Sequence, residues 1–394
     1  MDEEFFYTES GERKGPVGQQ ALQRMLAEGR IARDAPVFRG AATVPVTAQE
    51  AAAIPPQPAP PAPGLLRAIG SKLSRLAGVP DAADVPVGQL IVGDGDGAGP
   101  PGPVEDVFAV GTSTTTPAVA SIAGGWPRPR VFWRVLVGAL LAYLMLRVGF
   151  TEFGNSKFVP GLLVVGAFGV PLAVVVFFFE MNTPRNVSIY QVAKMMLLGG
   201  AASLIATVVL GEIVPGAGVG KLIPALLTGV VEETGKVLAL LLIARAVRFP
   251  WQVNGMLFGA AVGAGFSGFE SAGYAAQSSS MFSNIMWRAL LAPGGHVIWT
   301  AMIGAAIWQV RGSKPFRMAM LLDRTVVHRW AVAVVLHGLW DTVPFPQAEI
   351  LFDCLLLLAG WYLTFAVFKL ALAEVATARA SAIAAAAPPA PSAP

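Results

Sequence analysis

Eight stretches of about twenty apolar residues follow one another in this chain, near 131–150, 158–179, 189–211, 221–244, 252–275, 286–309, 326–344 and 349–371. Wound as a helix at about 1.5 Å per residue, each is long enough to cross a hydrocarbon layer of about 30 Å. Inside a bilayer every backbone N–H and C=O must be satisfied within the segment, so repeated runs of this kind can fold only as packed helices. The expected fold class is an all-α polytopic membrane protein of about eight transmembrane helices, preceded by a small α+β domain. Composition agrees. Of 394 residues 54% are hydrophobic and 13% charged, where an ordinary soluble chain has about 25% charged.

The basic residues alternate between the two sides of these spans. One side takes Arg128, Arg130, Arg134, Arg185, Lys194, Arg245, Arg248, the cluster RGSKPFRMAMLLDRTVVHR at 311–329, Lys369 and Arg379. The other takes only Arg147, Lys157, Lys221 and Arg288. The positive-inside rule then puts both termini in the cytoplasm. A net charge of +3 with no basic run argues against nucleic acid as a partner. The one cysteine, Cys354, allows neither a disulfide framework nor a cysteine metal site. The start, MDEEFFYTESGERKG, is acidic and has no apolar core, so no cleavable signal peptide is expected.

Residues 1–52 read as the α+β domain. Phe5-Phe6-Tyr7 is a short aromatic strand, ESGERKGPV a turn, Gln19 to Gly29 a helix with Leu22, Met25 and Leu26 inward, and Ala35 to Arg39 another extended segment. The set resembles the GYF-like domain of many bacterial membrane proteins at Phe5-Phe6-Tyr7, Gly15-Pro16-Val17, the helix ending in AEGRI, and Val37-Phe38-Arg39. It departs at TVPVT (43–47), where such domains usually carry a tryptophan. The resemblance implies a proline-rich peptide as partner. The chain's own IPPQPAPPAPG at 54–64 reads as a polyproline II linker. Residues 53–130 are expected to be a Pro/Gly-rich linker, including 93–103, with one short amphipathic helix over 65–77. That helix sets Leu65, Leu66, Ile69, Leu73 and Leu76 against Arg67, Lys72 and Arg75. It suits either the membrane interface or the surface of the small domain. The Ala/Pro-rich end, 373–394, is expected to be a disordered tail.

The spans between 221 and 344 carry ionisable residues, which cost several kcal/mol each at mid-bilayer and so mark function by default, ~2.5–3.5 on insertion scales. Glu232 and Glu233 are adjacent in the fourth span, with Lys236 one turn on. The fifth carries Glu270 four residues after Phe266. The sixth carries His296 after a Pro-Gly-Gly break, and the seventh His337 and Asp341 on one helix face. Counting rise along each span puts Glu232 and His296 roughly 15 Å below the outer surface, His337 at roughly 10–12 Å, and Glu270 and Asp341 at roughly 5–9 Å. The depths are compatible with one cluster in the outer half of the membrane. Taken singly, a membrane histidine is more often a packing residue, and Lys236 reads as a counter-ion. Glu180, Arg185 and Lys194 read as boundary anchors, and GAAVGAG (259–265) and GGAAS (199–203) as close helix packing.

Glu232-Glu233-x-x-Lys236, Phe266-x-x-x-Glu270, His296 ahead of a small-residue helix, and His337-x-x-x-Asp341 resemble, in that order, the motif set of the PrsW family. These are bacterial intramembrane proteases distantly similar to the CAAX-protease and bacteriocin-immunity superfamily. The resemblance covers about 106–372 and makes 131–372 the expected protease domain. It departs at Ser271, where the family commonly has asparagine. It implies a multi-pass protein of a bacterial inner membrane that cuts a single-pass membrane protein. The implied substrate type is an anti-sigma factor, cut in stress-linked regulated proteolysis.

On this reading the catalytic set is Glu232, Glu233, Glu270, His296, His337 and Asp341, supported by Lys236, Phe266 and Ser271. Water is activated at Glu232 or Glu233 with no cofactor required, and His296 and His337, the latter held by Asp341, polarise the scissile carbonyl. The same residues also offer a zinc site, with Glu233, Glu270, His296 and His337 as ligands. A proton- or ion-coupled transporter, or an inactive scaffold recruiting partners through the GYF-like domain, are the rival readings.

Overall fold

The aromatic run near the start of the chain forms an inner strand of a four-stranded antiparallel sheet of order β2-β1-β3-β4. The strands are β1 (Glu4–Glu9), β2 (Glu12–Gly18), β3 (Pro36–Arg39) and β4 (Val46–Thr47). Helices α1 (Gln19–Ala27) and α2 (Ala48–Ala53) complete a core of Phe5, Leu22, Met25, Ile31, Val37, Ala48 and Ala51. Residues 12–18, expected as part of a turn, are strand instead. Their backbone pairs along β1 from Glu4↔Gly18 to Glu9↔Glu12, which the local Gly-Pro signal did not reveal.

This computed structural model describes residues 4–9, 12–39, 45–53, 64–91, 104–214, 221–278, 285–288, 291, 295–342 and 349–386. Most of the proline-rich 54–64, all of 93–103, and parts of 43–47 and 373–394 lie outside the described residues. The chain falls into two units, Met1–Pro63 and Gly64–Pro394.

Much of the expected linker belongs to the second unit. Helices α3 (Leu65–Leu76) and α4 (Val87–Ile91) and the segment that follows put Ala77, Val79, Ala82, Val85, Leu90, Val110 and Ile122 into one apolar core with the long helices. Composition hid this because the buried residues are small and scattered among turn formers. The long helices are α5 (Val131–Phe153), α6 (Val159–Met181), α7 (Ile189–Lys194) running through a π-turn at Met195–Gly199 into α8 (Gly200–Ile213), α9 (Leu222–Ala244), α10 (Gln252–Gln277), α11 (His296–Arg311), α12 (Arg324–Thr342) and α13 (Glu349–Ala386). The stretches Val131–Phe153, Ser156–Met181, Ile189–Ile213 and Ile350–Ala386 are long and apolar enough to cross a membrane by length and composition. The other four helices are shorter or carry the charged and small residues of the interior. The sixth span, expected from 286, has its continuous helix only from His296. The last helix runs to Ala386, where a disordered tail was expected from 373. Alanine is the strongest helix former, and no breaker intervenes before Pro388.

Two polar devices fix helix ends. The Glu180 carboxylate accepts the backbone N–H groups of Arg130 (2.8 Å) and Phe132 (2.9 Å), capping the positive end of α5. The buried Arg311 guanidinium donates to the carbonyls of Ala244 (2.7 Å) and Ala246 (3.1 Å), closing the C-terminal end of α9.

The small-residue runs let backbones touch. A β-carbon at Gly259 or Gly263 would overlap the carbonyl oxygens of Thr300 and His296 on α11, and one at Gly265 would overlap the Met196 carbonyl of the π-turn. Gly265→Ala is therefore expected to force α10 and α8 apart at a cost of ~1–3 kcal/mol or more, seen as a lower unfolding midpoint of the detergent-purified protein.

The turn after α3 is clipped to α13. Asp81 accepts from the Ser71 hydroxyl and from Tyr362 Oη (2.5 Å), while Lys369 Nζ binds Asp84 Oδ2 (2.7 Å) and the Asp81 carbonyl (3.1 Å). The Ser71 hydroxyl first, and Tyr362 second, hold the Asp81 carboxyl down at about 2. A depressed carboxylate stabilises the folded form above its ordinary titration range and stops doing so as pH falls through its folded value. Amide-exchange protection of residues 65–76 should thus persist through pH 4 and fall only as pH approaches about 2. In Asp81→Asn it should be reduced already at neutral pH.

Candidate active site

α9 presents one helical face to the interior, and two close approaches bring the neighbouring helix to it. A β-carbon at Gly229 would stand 3.0 Å from the Val334 carbonyl oxygen and 3.3 Å from His337 Cβ, and one at Gly338 would stand 2.7 Å from Leu226. α12 can therefore lie against α9 closely enough for His337 to reach Glu233. On the opposite flank α10 and α11 deliver Phe266, Glu270 and His296.

The charged side chains meet in one network. Lys236 Nζ lies 2.8 Å from Glu233 Oε1, 3.4 Å from Glu232 Oε2 and 2.8 Å from His296 Nδ1, and 4.1 Å above the Phe266 ring. Glu233 and Lys236 are fully buried, whereas Glu232 keeps 8% exposure. His337 Nδ1 is 2.9 Å from Glu233 Oε1, and its Nε2 is 3.5 Å from Glu232 Oε2 and 3.5 Å from Asp341 Oδ2. His296 Nε2 is 3.1 Å from Glu270 Oε2, and its Nδ1 is 3.9 Å from Glu232 Oε2. The imidazoles stack edge to face, centroids 5.0 Å apart, with Trp299 packed against both.

All six expected site residues and Lys236 are thus within one cluster, but several parts differ from expectation. His337 donates its close hydrogen bond, from Nδ1, to Glu233 rather than to Asp341, because α12 turns Nδ1 toward α9. Asp341, with its side chain 36% exposed, instead faces the outer ring nitrogen. Ser271 does not touch the cluster directly, and its hydroxyl accepts from Arg288 Nε at 3.2 Å. Phe266 forms a wall under Lys236 and His296.

Arg288 and Trp299 are the residues that sequence reasoning missed. Arg288 Nη2 donates to Glu270 Oε2 at 2.6 Å and its guanidinium lies 4.5 Å from the Tyr274 ring. In sequence it is one more boundary arginine. Trp299 stands three residues after His296, so helical spacing alone would have put it on the same face. Beside His296, a cleft of about 140 Å³ lined by Ser267, Trp287, Arg288, Trp340 and Asp353 among others gives access to the network.

The donor geometry answers whether a metal ion fits. Glu232, His296 and His337 each offer an atom within 4.8 Å of the others. Glu233 holds Nδ1 of His337, and Glu270, itself clamped by Arg288, holds Nε2 of His296. With those nitrogens protonated, His337 turns its Nε2 lone pair toward Glu232 at 3.5 Å, whereas His296 Nδ1 accepts from Lys236 Nζ at 2.8 Å, a contact that an ion bound there would displace. Carboxylates orienting histidines from behind are the usual surroundings of a metal-bound imidazole. Two histidines and a glutamate are a known catalytic zinc set. The charge count agrees, since among the described residues Glu232, Glu233 and Glu270, with the partly exposed Asp341, are faced by the cations Lys236 and Arg288, an excess of two negative charges with the histidines neutral. The residues fit a divalent ion. Of the expected ligands, His296 and His337 offer donor atoms together with Glu232, while Glu233 and Glu270 contact the other nitrogens of the two rings.

Residues 187–372 match the model of a protein family described as PrsW family intramembrane metalloprotease. No curated protein and no solved structure matches the chain. The match begins later than the expected 106, and the N-terminal unit lies outside it. Every residue of the network falls inside, so the segment that carries the site is similar to the PrsW family of intramembrane metalloproteases.

Proposed function

We propose that the protein is an intramembrane endopeptidase that hydrolyses a peptide bond of a membrane-anchored protein at the Glu232, His296 and His337 cluster. The observation that carries this reading is the pair of imidazoles, each held from behind by a carboxylate, with their inner nitrogens 3.5 Å and 3.9 Å from Glu232 Oε2. Glu232, His296 and His337 would hold a divalent ion such as zinc, which when bound supplies an acidified water and polarises the scissile carbonyl.

The chain's own groups account for the rest. Glu233 and Glu270 fix the tautomers of His337 and His296. Lys236 offsets the charge of the glutamate pair, and Phe266 with Trp299 keeps bulk water from the inner wall. Asp341 is partly exposed and its Oδ2 faces His337 Nε2 at 3.5 Å, so its carboxylate would take the proton of the attacking water and return it to the leaving nitrogen as the C–N bond breaks.

A second reading needs no ion. Lys236 Nζ already occupies the Nδ1 lone pair of His296 at 2.8 Å, which favours Glu232 Oε2 as the base that takes the water's proton. Metal content and cleavage of a tagged single-pass membrane protein, measured in proteoliposomes before and after chelation, separate the two. Loss of cleavage that zinc restores supports the ion-bound site. Undiminished cleavage by metal-free protein supports Glu232 as base.

Charge asymmetry supports both termini in the cytoplasm of a bacterial-type inner membrane, and the family resemblance supports an anti-sigma-factor-like substrate. The resemblance of the N-terminal unit supports a proline-rich peptide as its ligand.

A further inference from the structure

Helix α3 presents its apolar side outward. Leu66 is 85% exposed, Leu65 76%, and Ile69 and Leu76 are exposed beside them. What α3 turns toward the protein is its small residues. Ser74 is buried, and a β-carbon at Gly70 would meet the Tyr362 ring at 2.7 Å. Arg67 and Arg75, both exposed, lie on the flank away from the leucines, and the exposed Lys72 borders the apolar stripe beside Leu65. The helix therefore has three faces: one docked on α13, one apolar and one basic.

Its attachment says what covers the apolar face. Asp81 with Tyr362, and Asp84 with Lys369, fasten the end of α3 to α13, which is long and apolar enough to cross a membrane. Lys369 and the two aspartates mark a polar level on that helix. An apolar stripe held there, with basic residues across from it, has the make-up of a helix lying in the plane of a bilayer surface.

We propose that α3 is an interfacial anchor. Leu65, Leu66, Ile69 and Leu76 enter the boundary between headgroups and acyl chains on the side of the membrane where α13 carries Lys369. Arg67, Lys72 and Arg75 bind anionic lipid headgroups. The chain that follows the proline-rich segment is thereby pinned to the membrane surface, whatever reaction the interior site performs.

The test uses the full chain with Cys354→Ser, bearing Leu66→Cys, Ile69→Cys or Arg75→Cys, labelled with a small fluorophore. Each is reconstituted in phosphatidylcholine vesicles with and without phosphatidylglycerol. Brominated lipid should quench labels at 66 and 69 about threefold more than the label at 75, and aqueous iodide should show the reverse order. Equal iodide quenching at all three positions would put the face in water and overturn the proposal. Protection of 66 and 69 from both quenchers would mean a protein covers the face, a second copy included, and would overturn it as well. Phosphatidylglycerol should increase bromolipid quenching at 66, and Arg67→Gln, Lys72→Gln and Arg75→Gln together should abolish that increase. An unchanged increase would refute the headgroup contacts.

Discussion

Glu232→Gln is expected to lower cleavage of a tagged membrane protein by ~10²–10⁴-fold while leaving the protein folded. Both parts follow from the geometry. Glu232 Oε2 lies between the two imidazoles, 3.5 Å from His337 Nε2 and 3.9 Å from His296 Nδ1, so the amide removes a ligand or a base from the reacting point. Its contact with Lys236 is the longer of the two glutamate contacts, 3.4 Å against 2.8 Å, and the lysine keeps Glu233 when Glu232 is neutral. Glu270→Gln touches the same point only through His296. It should cost less, ~10–100-fold. Initial rates in proteoliposomes, normalised to folded protein, check the order. Full activity in Glu232→Gln would remove this residue from the chemistry and with it the proposed function.

How far the sequence foretold this depends on the kind of signal. The apolar runs anticipated the long helices, because length and hydropathy are local properties. Depth along those runs grouped Glu232, Glu233, Glu270, His296, His337 and Asp341 before any coordinates. The fine roles were not legible. Which carboxylate lies behind which ring depends on helix rotation, set by Gly229 against Val334 and Gly338 against Leu226, and spacing along one helix carries no information about that. Arg288 reads as a boundary charge until Glu270 is seen beside it. The segment 64–91 reads as linker because its buried residues, Ala77, Val79 and Ala82 among them, are too small to raise local hydropathy.

Lys236→Met should cost more stability than any single change at the cleft side of the site, because it leaves a charge with nowhere to go. Glu233 is wholly enclosed; its Oε1 is bound by Lys236 and His337, and its Oε2 has no hydrogen-bond partner among the described residues. Breaking a buried pair from one side costs ~3–5 kcal/mol, a large share of a typical folding free energy of about 5–15 kcal/mol. The unfolding midpoint in detergent should fall accordingly. Lys236→Arg should be little better, because a guanidinium is bulkier than the enclosed ammonium it replaces. Adding Glu233→Gln to Lys236→Met removes both charges, so most of the midpoint should return, and the non-additivity measures the pair directly. Cleavage should not return with it. The amide oxygen at 233 can still accept from His337, yet it is a weaker partner than a carboxylate, and a loss of ~10–100-fold is expected in the refolded double variant. If the pair were only ballast for the fold, restoring stability would restore the rate. A stable and slow double variant would instead assign Glu233 to the positioning of His337.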